Sequence, residues 1–188
     1  MTSPTSPRPG GRSARVQAAV HRAVQELGAE IDRASLTVPM IAGRAGVTPS
    51  TIYRRWGSLA ELLSDVALGS MRADTAPLDT GSVPGDLQAW AEQYLDEMTS
   101  AVGLTMLQDV LAANRADASC QCVVLVAGQI GQIVERGVAR QEPVPDVDAF
   151  MNAVVAPIIY RALFGPAPLT HAQVREHVAN CLAGAAAR

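Results

Sequence analysis

Apolar residues recur at spacings of three and four along nearly the whole chain, and the alternation of a half-buried strand is almost absent, so the sequence reads as all-α. The clearest stripe is Leu87, Trp90, Ala91, Tyr94, Leu95 and Met98, one face of one amphipathic helix. Caps and breakers divide the rest into about nine helices. Val16, Val20, Ala23, Val24 and Leu27 mark a first helix that is expected to end near Gly28. A short second helix starts at about Thr37, carries Val38, Ile41, Ala42 and Ala45, and stops at Gly46. Only Gly46-Val47-Thr48 separates it from a third helix, Pro49 to Trp56, with Thr48 as N-cap candidate and Pro49 at the first position, where a missing N–H costs nothing. Gly57 closes that helix, and Ser58 to Glu61 has the spacing of a capping box for a fourth, bearing Leu62, Leu63, Val66 and Ala67.

From Thr75 to Gly85 the composition turns to Thr, Pro, Gly, Ser and Asp, a connection leaving the head. Beyond the Leu87 stripe, a shorter helix surrounds Leu104, Leu107 and Leu111. A long one runs from about Ser119 to Arg140, with Val123, Val124, Ala127, Ile130, Val134 and Val138 expected inward and Gly128 and Gly131 expected at close packing. Pro143 and Pro145 stop it, and Asp146 caps a helix that is apolar around most of its circumference from Phe150 to Leu163. One core face cannot hold all of these, so something must cover the other side. Pro157 sits inside that pattern and should kink it or mark a relaxed turn. Thr170 and Gln173 make a capping box for a last helix with Val174, Val178, Cys181, Leu182 and Ala185 on one stripe.

Charge divides the 188 residues unevenly. There is no Lys; residues 1–57 hold eight arginines against three acids, and the remainder holds seven against fifteen. A basic end on an acidic body is the charge pattern of a nucleic-acid-binding head on a non-binding partner domain. Cys120, Cys122 and Cys181 have no scaffold spacing, which reads as a reduced, cytoplasmic protein; Cys120 and Cys122 point to opposite sides of a helix and do not pair easily. Residues 1–11 are rich in Ser, Thr, Pro and Gly with no apolar h-region, so they read as a flexible arm rather than a secretory signal. No unbroken apolar run approaches the roughly 20 residues of a membrane span, and no membrane partner is expected. His21, His171 and His177 form no metal-ligand spacing, and no phosphate loop, nucleophile elbow or dinucleotide fingerprint occurs, so neither an enzyme nor a cofactor is expected.

Two short helices joined by a three-residue turn containing Gly make a helix-turn-helix, whose second helix can lay side chains along base edges in the major groove. Thr48, Ser50 and Thr51 offer hydroxyls, Tyr53 a phenol, and Arg54 and Arg55 bidentate cations, while Ile52 faces the core. The stretch Leu36 to Trp56, followed by Leu59-Ala60-Glu61-Leu62-Leu63, resembles the N-terminal domain of the TetR/AcrR family of bacterial transcriptional regulators. The order Val155-Ala156-Pro157-Ile158-Ile159-Tyr160-Arg161-Ala162-Leu163-Phe164 is similar to the penultimate helix of many members. The resemblance implies a homodimer of all-helical subunits on a palindromic operator in double-stranded DNA. It also implies a three-helix head over residues 12–57, and a body over 58–188 whose cavity takes a small apolar or amphipathic effector that weakens DNA binding.

The expected DNA face is Arg12, Thr37, Arg44, Thr48, Pro49, Ser50, Thr51, Tyr53, Arg54, Arg55 and Trp56, where Trp56 either seals the head or touches a phosphate. Arg8, Arg12 and Arg15 are candidates for the adjacent minor groove, since Leu59 stands where many members carry a phosphate-contacting Lys. Trp90, Tyr94, Met98, Met106, Leu107, Val124 and Gln129 are effector-cavity candidates; a plain core explains the same stripe. The resemblance further implies that the last two helices form the dimer interface, at Phe150, Val154, Ile158, Arg161, Ala162, Val174, Val178 and Cys181. The rival reading is a helical small-molecule-binding protein whose head is only scaffold.

Overall fold

A computed structural model describes residues 11–71, 76–113 and 116–186, and their regular structure is helical throughout. The helices are α1 (Arg12–Glu30), α2 (Val38–Ala45), α3 (Pro49–Trp56), α4 (Leu59–Met71), α5 (Val83–Thr99), α6 (Ala101–Ala112), α7 (Ala116–Ala139), α8 (Val147–Phe150), α9 (Ala156–Phe164) and α10 (His171–Ala186). A π-helical turn, Met151–Val155, joins α8 to α9. Pro157 explains it: without an N–H, the proline cannot complete the regular ladder one turn earlier, and the chain relaxes there. Gly28 does not end α1, which continues to Glu30, because a single exposed Gly costs a helix only about 1 kcal/mol.

The chain forms two compact units, divided between Val66 and Ala67. The division falls within α4 rather than ahead of it, because Leu62, Leu63 and Val66 close the head core with Val20, Val24, Leu27, Ile41, Ile52 and Trp56. In the second unit α5 packs along α10, and Leu87, Trp90, Ile130, Ile133, Phe150, Val154, Ile158 and Val174 are its buried centre. The caps read from sequence form where the side chains reach. Ala149 N–H donates to Asp146 Oδ1 at 2.9 Å, and Thr170 and Gln173 bond reciprocally at 3.0 and 3.3 Å.

Three expectations about the body need correction. First, Val123, Val124 and Val138 are exposed, and the inward line of α7 is Val126, Ile130 and Ile133. A helix apolar on several sides gives periodicity no unique phase. Second, a Cβ on Gly128 or Gly131 would meet open space, whereas one on Gly137 would overlap Val83 and Val144, so the close approach is at Gly137. Third, Gln121–Ala139 and Val147–Phe164 are by length and composition apolar enough to cross a membrane, since their scattered Gly and Gln do not lower the mean hydropathy far. Each nonetheless has one side built into the body core, through Ile130 and Ile133 in the first and Phe150 and Ile158 in the second.

An ion cluster ties the start of α5 to the end of α7. Asp86 is fully buried and accepts from Thr80 N–H at 2.6 Å, Thr80 Oγ1 at 2.7 Å and Arg140 Nη2 at 3.0 Å, with Arg136 Nη2 at 3.4 Å. Burial alone would raise its pKa; the Thr80 donors and the two guanidinium groups outweigh that and hold it below the ordinary value.

Candidate nucleic-acid interface

The turn between α2 and α3 is set by Gly46, whose φ of 67° is a left-handed conformation that glycine adopts without steric cost. Its N–H and that of Val47 return to the Gly43 and Ala42 carbonyls, capping α2. On α3, Ile52 is fully buried and fixes which side faces out. Thr48, Pro49, Ser50, Tyr53, Arg54 and Arg55 are exposed, Tyr53 by 51%, and Thr51 is half-buried. Thr48 Oγ1 lies 2.9 Å from Ser50 Oγ and 3.0 Å from Thr51 Oγ1, so the three hydroxyls form one cluster. It makes no side-chain cap to the α3 backbone, contrary to the N-cap expectation for Thr48; Thr37 makes none to α2 either.

The head's arginines divide by their partners. Arg44 is held by two acids of α1, at 2.6 Å from Glu30 Oε2 and 3.5 Å from Glu26 Oε2, and the Glu30 bonds hold its pKa above the ordinary value. Arg55 donates to Ser13 Oγ at 2.6 Å and Gln17 Oε1 at 2.5 Å, and lies 5.2 Å over the Trp56 ring. Arg54 has no hydrogen-bond or ion-pair partner among the described residues. Arg15 is exposed on α1; Arg12 opens α1, but its side chain and the whole of Arg8 lie outside what is described.

Trp56 does not belong to the DNA face. Its side chain is buried, and its indole N–H donates to Asp65 Oδ2 at 2.8 Å, which leaves nothing to offer a phosphate. Asp65 also meets His21 Nε2 at 2.8 Å and Gln17 Nε2 at 3.1 Å. The His21 bond, followed by the Trp56 and Gln17 donors, brings its carboxyl down to about 2 against the raising effect of burial. No local pattern in the sequence marks Asp65; only the fold brings its partners from α1 and α3 together.

In the second unit a pocket of about 210 Å³ is lined by Ser70, Tyr94, Glu97, Met98, Ser100, Val102, Gly103, Met106, Leu125, Val126 and Gln129. Of the effector-cavity candidates it gathers Tyr94, Met98, Met106 and Gln129. Trp90 and Leu107 are core instead, Trp90 stacking on Tyr94 at 4.9 Å and donating to Gln129 Oε1 at 3.0 Å. Val124 is 69% exposed and does not line the pocket, because Val126 is the valine of α7 that turns inward. Burial drives the Tyr94 phenol upward, keeping it protonated at neutral pH.

The expected dimer surface also needs correction. Phe150, Val154, Ile158, Val174 and Val178 are buried inside their own chain and cannot meet a second copy. Arg161, Ala162 and Cys181 are half-buried, with Arg161 Nε donating to the Ala167 carbonyl at 3.0 Å. The outward aromatics are Tyr160 and Phe164, exposed by 64% and 70% with ring centroids 5.6 Å apart. Both faces of α9 are apolar, and of the residues expected to face a partner, Ile158 belongs to its inner side while Arg161 and Ala162 are half-buried.

Among the described residues no three of His, Cys, Asp or Glu come together as a metal site. Residues 26–66 match the profile of bacterial regulatory proteins of the tetR family, and residues 77–181 match the tetracyclin repressor-like C-terminal domain. The chain is 29% identical over 161 residues to the uncharacterized HTH-type transcriptional regulator YdeS of Bacillus subtilis, covering 80% of this chain and 79% of that one. It is 35% identical over 96 residues to the uncharacterized HTH-type transcriptional regulator Mb1581 of Mycobacterium bovis, about half of each chain, 50% and 46%. The crystal structure of the TetR family transcription regulator SCO0332 superposes with a TM-score of 0.71 at 27% identity, over 90% of this chain and 98% of that one. An exposed recognition helix behind a glycine turn, matching profiles across head and body, and this superposition lead to one conclusion: the chain is a DNA-binding transcriptional regulator of the TetR family.

Proposed function

We propose that the protein is a cytoplasmic homodimeric repressor, released from a palindromic operator by a small apolar or amphipathic effector bound among Tyr94, Met98, Met106 and Gln129. The carrying observation is the outward side of α3, where Thr48, Ser50, Tyr53 and Arg54 stand exposed while Ile52 anchors the helix. Two copies present these sides to successive major grooves when their recognition helices are about 34–36 Å apart. The outward Tyr160 and Phe164 of α9 supply the apolar surface for pairing. An effector lowers DNA affinity only by as much as it prefers a body conformation with a different spacing.

The test is selection of operator fragments from genomic DNA, followed by titration of Tyr53→Ala and Arg54→Ala. Each variant should stay folded, lose about 1–3 kcal/mol of specific binding, and, where the lost contact is to a phosphate, reduce the salt slope by about one. Unchanged binding by both variants refutes the assignment of this side to DNA.

A further inference from the structure

The charge of the pocket carries the effector reading one step further, to the class of molecule. The chain has no Lys, and among the described residues neither Arg nor His lines the pocket. Among the described lining residues the one acidic side chain is Glu97, which is exposed. After burial and the neighbouring Cys122, that carboxylate adds to the rise in the pKa of the Tyr94 phenol. Its hydrogen-bond partner is neutral: Gln93 Nε2 donates to Glu97 Oε1 at 2.7 Å, and among the described residues no cation pairs with it. The C-terminus of α5 and the N-terminus of α6 meet at Ser100, and their opposed dipole ends offset each other. The remaining walls suit an apolar, polarisable body: Met98 and Met106 thioethers, Val126, and the Tyr94 ring. Gln129 adds a neutral polar group whose Oε1 is already occupied by the Trp90 indole.

An anion entering this pocket loses hydration, finds no cation among the described lining residues, and meets Glu97; a cation meets the carboxylate beside an aromatic side chain, Tyr94. We infer that the effector is a monocationic amphiphile, with an apolar or aromatic body seated on Tyr94, Met98 and Met106 and an ammonium directed to Glu97. At about 210 Å³ the pocket is smaller than the roughly 300–1,000 Å³ of drug-sized sites, which favours a body of one or two rings. The inference rests on the effector reading of this pocket.

The test uses three probes of one shape, 2-naphthylmethylamine, 2-naphthylmethanol and 2-naphthoate, titrated calorimetrically into the full-length protein and its Glu97→Gln and Met106→Trp variants. The amine should bind about fivefold more tightly than the alcohol at low salt, as expected for a partly exposed ion pair, and naphthoate should not bind. Glu97→Gln should erase the amine's advantage and leave the alcohol unchanged, while Met106→Trp should block both by filling the pocket. If the alcohol binds and is blocked by Met106→Trp, but the amine shows no advantage or naphthoate binds as well, the cationic assignment is overturned and the effector site stands. If no probe binds at millimolar concentration, or binding ignores Met106→Trp, both readings fall.

Discussion

The two faces of α9 make opposite demands, and a pair of substitutions separates them. Ile158 is fully buried, so Ile158→Ala should cost about 2–5 kcal/mol through lost burial and a cavity, a large share of the roughly 5–15 kcal/mol that holds a domain folded. Tyr160 and Phe164 are exposed by 64% and 70%, so in the free subunit their truncation should be nearly neutral. In a dimer each ring has roughly 130 Å² left to bury, about 3 kcal/mol at ~25 cal/mol/Å², and two-fold symmetry repeats the contact on the partner. Even after ordering costs, Tyr160→Ser with Phe164→Ser should raise the dimer dissociation constant at least about a hundredfold. Sedimentation velocity over a dilution series reads this directly. Thermal melting adds a second signature: Tm should rise with protein concentration for the parent and lose that dependence in the double variant. A double variant that stays dimeric at the parent's dilution limit refutes pairing through this face. An Ile158→Ala protein of parental Tm refutes the burial argument.

Two further expectations concern single residues. The Asp65 carboxyl falls from an ordinary 3.8 to about 2 on folding, so its contribution is present above about pH 4 and is lost as pH falls through 2. Discounted for its partial exposure, Asp65→Asn should cost about 1 kcal/mol at neutral pH and only a small fraction of that near pH 2 in chemical denaturation; an equal cost at both pH values refutes the charge-based account. Gly103 is buried where α6 crosses α5, and a Cβ there would overlap the Glu97 carbonyl oxygen. Gly103→Ala should therefore destabilise by about 1–3 kcal/mol although Ala favours a helix, and a gain in Tm would show that the crossing adjusts freely.

Local signals were legible in the sequence, and signals that depend on distant chain segments were not. Gly46, Thr48, Pro49 and Gly57 bracket two short helices by backbone chemistry alone, so the head was readable from about twenty residues. The Leu87 to Met98 stripe was readable because α5 has a polar side for contrast, and all six of its residues are buried. α7 and α9 lack that contrast: with Val on several sides of α7, Val124 and Val126 are equally apolar, and only packing on α5 decides that Val126 goes in. Asp86 left no trace in the pattern, since its neutralising Arg136 and Arg140 come from 50 and 54 residues further along the chain.

The same limit shapes the DNA face, and it explains why charge counting overstates it. Eight arginines mark the basic end, yet two of the best-placed ones are engaged within the head. Arg55 donates to Gln17, Gln17 donates to Asp65, and Asp65 accepts from Trp56, so one chain of hydrogen bonds joins α1, α3 and α4. Such a network fixes the seating of α3, because the partners left behind by any break include a half-buried carboxylate. Arg44 is engaged with Glu26 and Glu30 on α1 in the same way. A side chain committed to its own fold must lose those bonds before it can reach a phosphate, whereas Arg54 and Tyr53 lose only rotamer freedom. The described arginines of the helix-turn-helix therefore separate into Arg55, which holds α3 to α1, Arg44, which holds α2 to α1, and Arg54, which beside Tyr53 has no hydrogen-bond or ion-pair partner among the described residues and so has no such bond to give up.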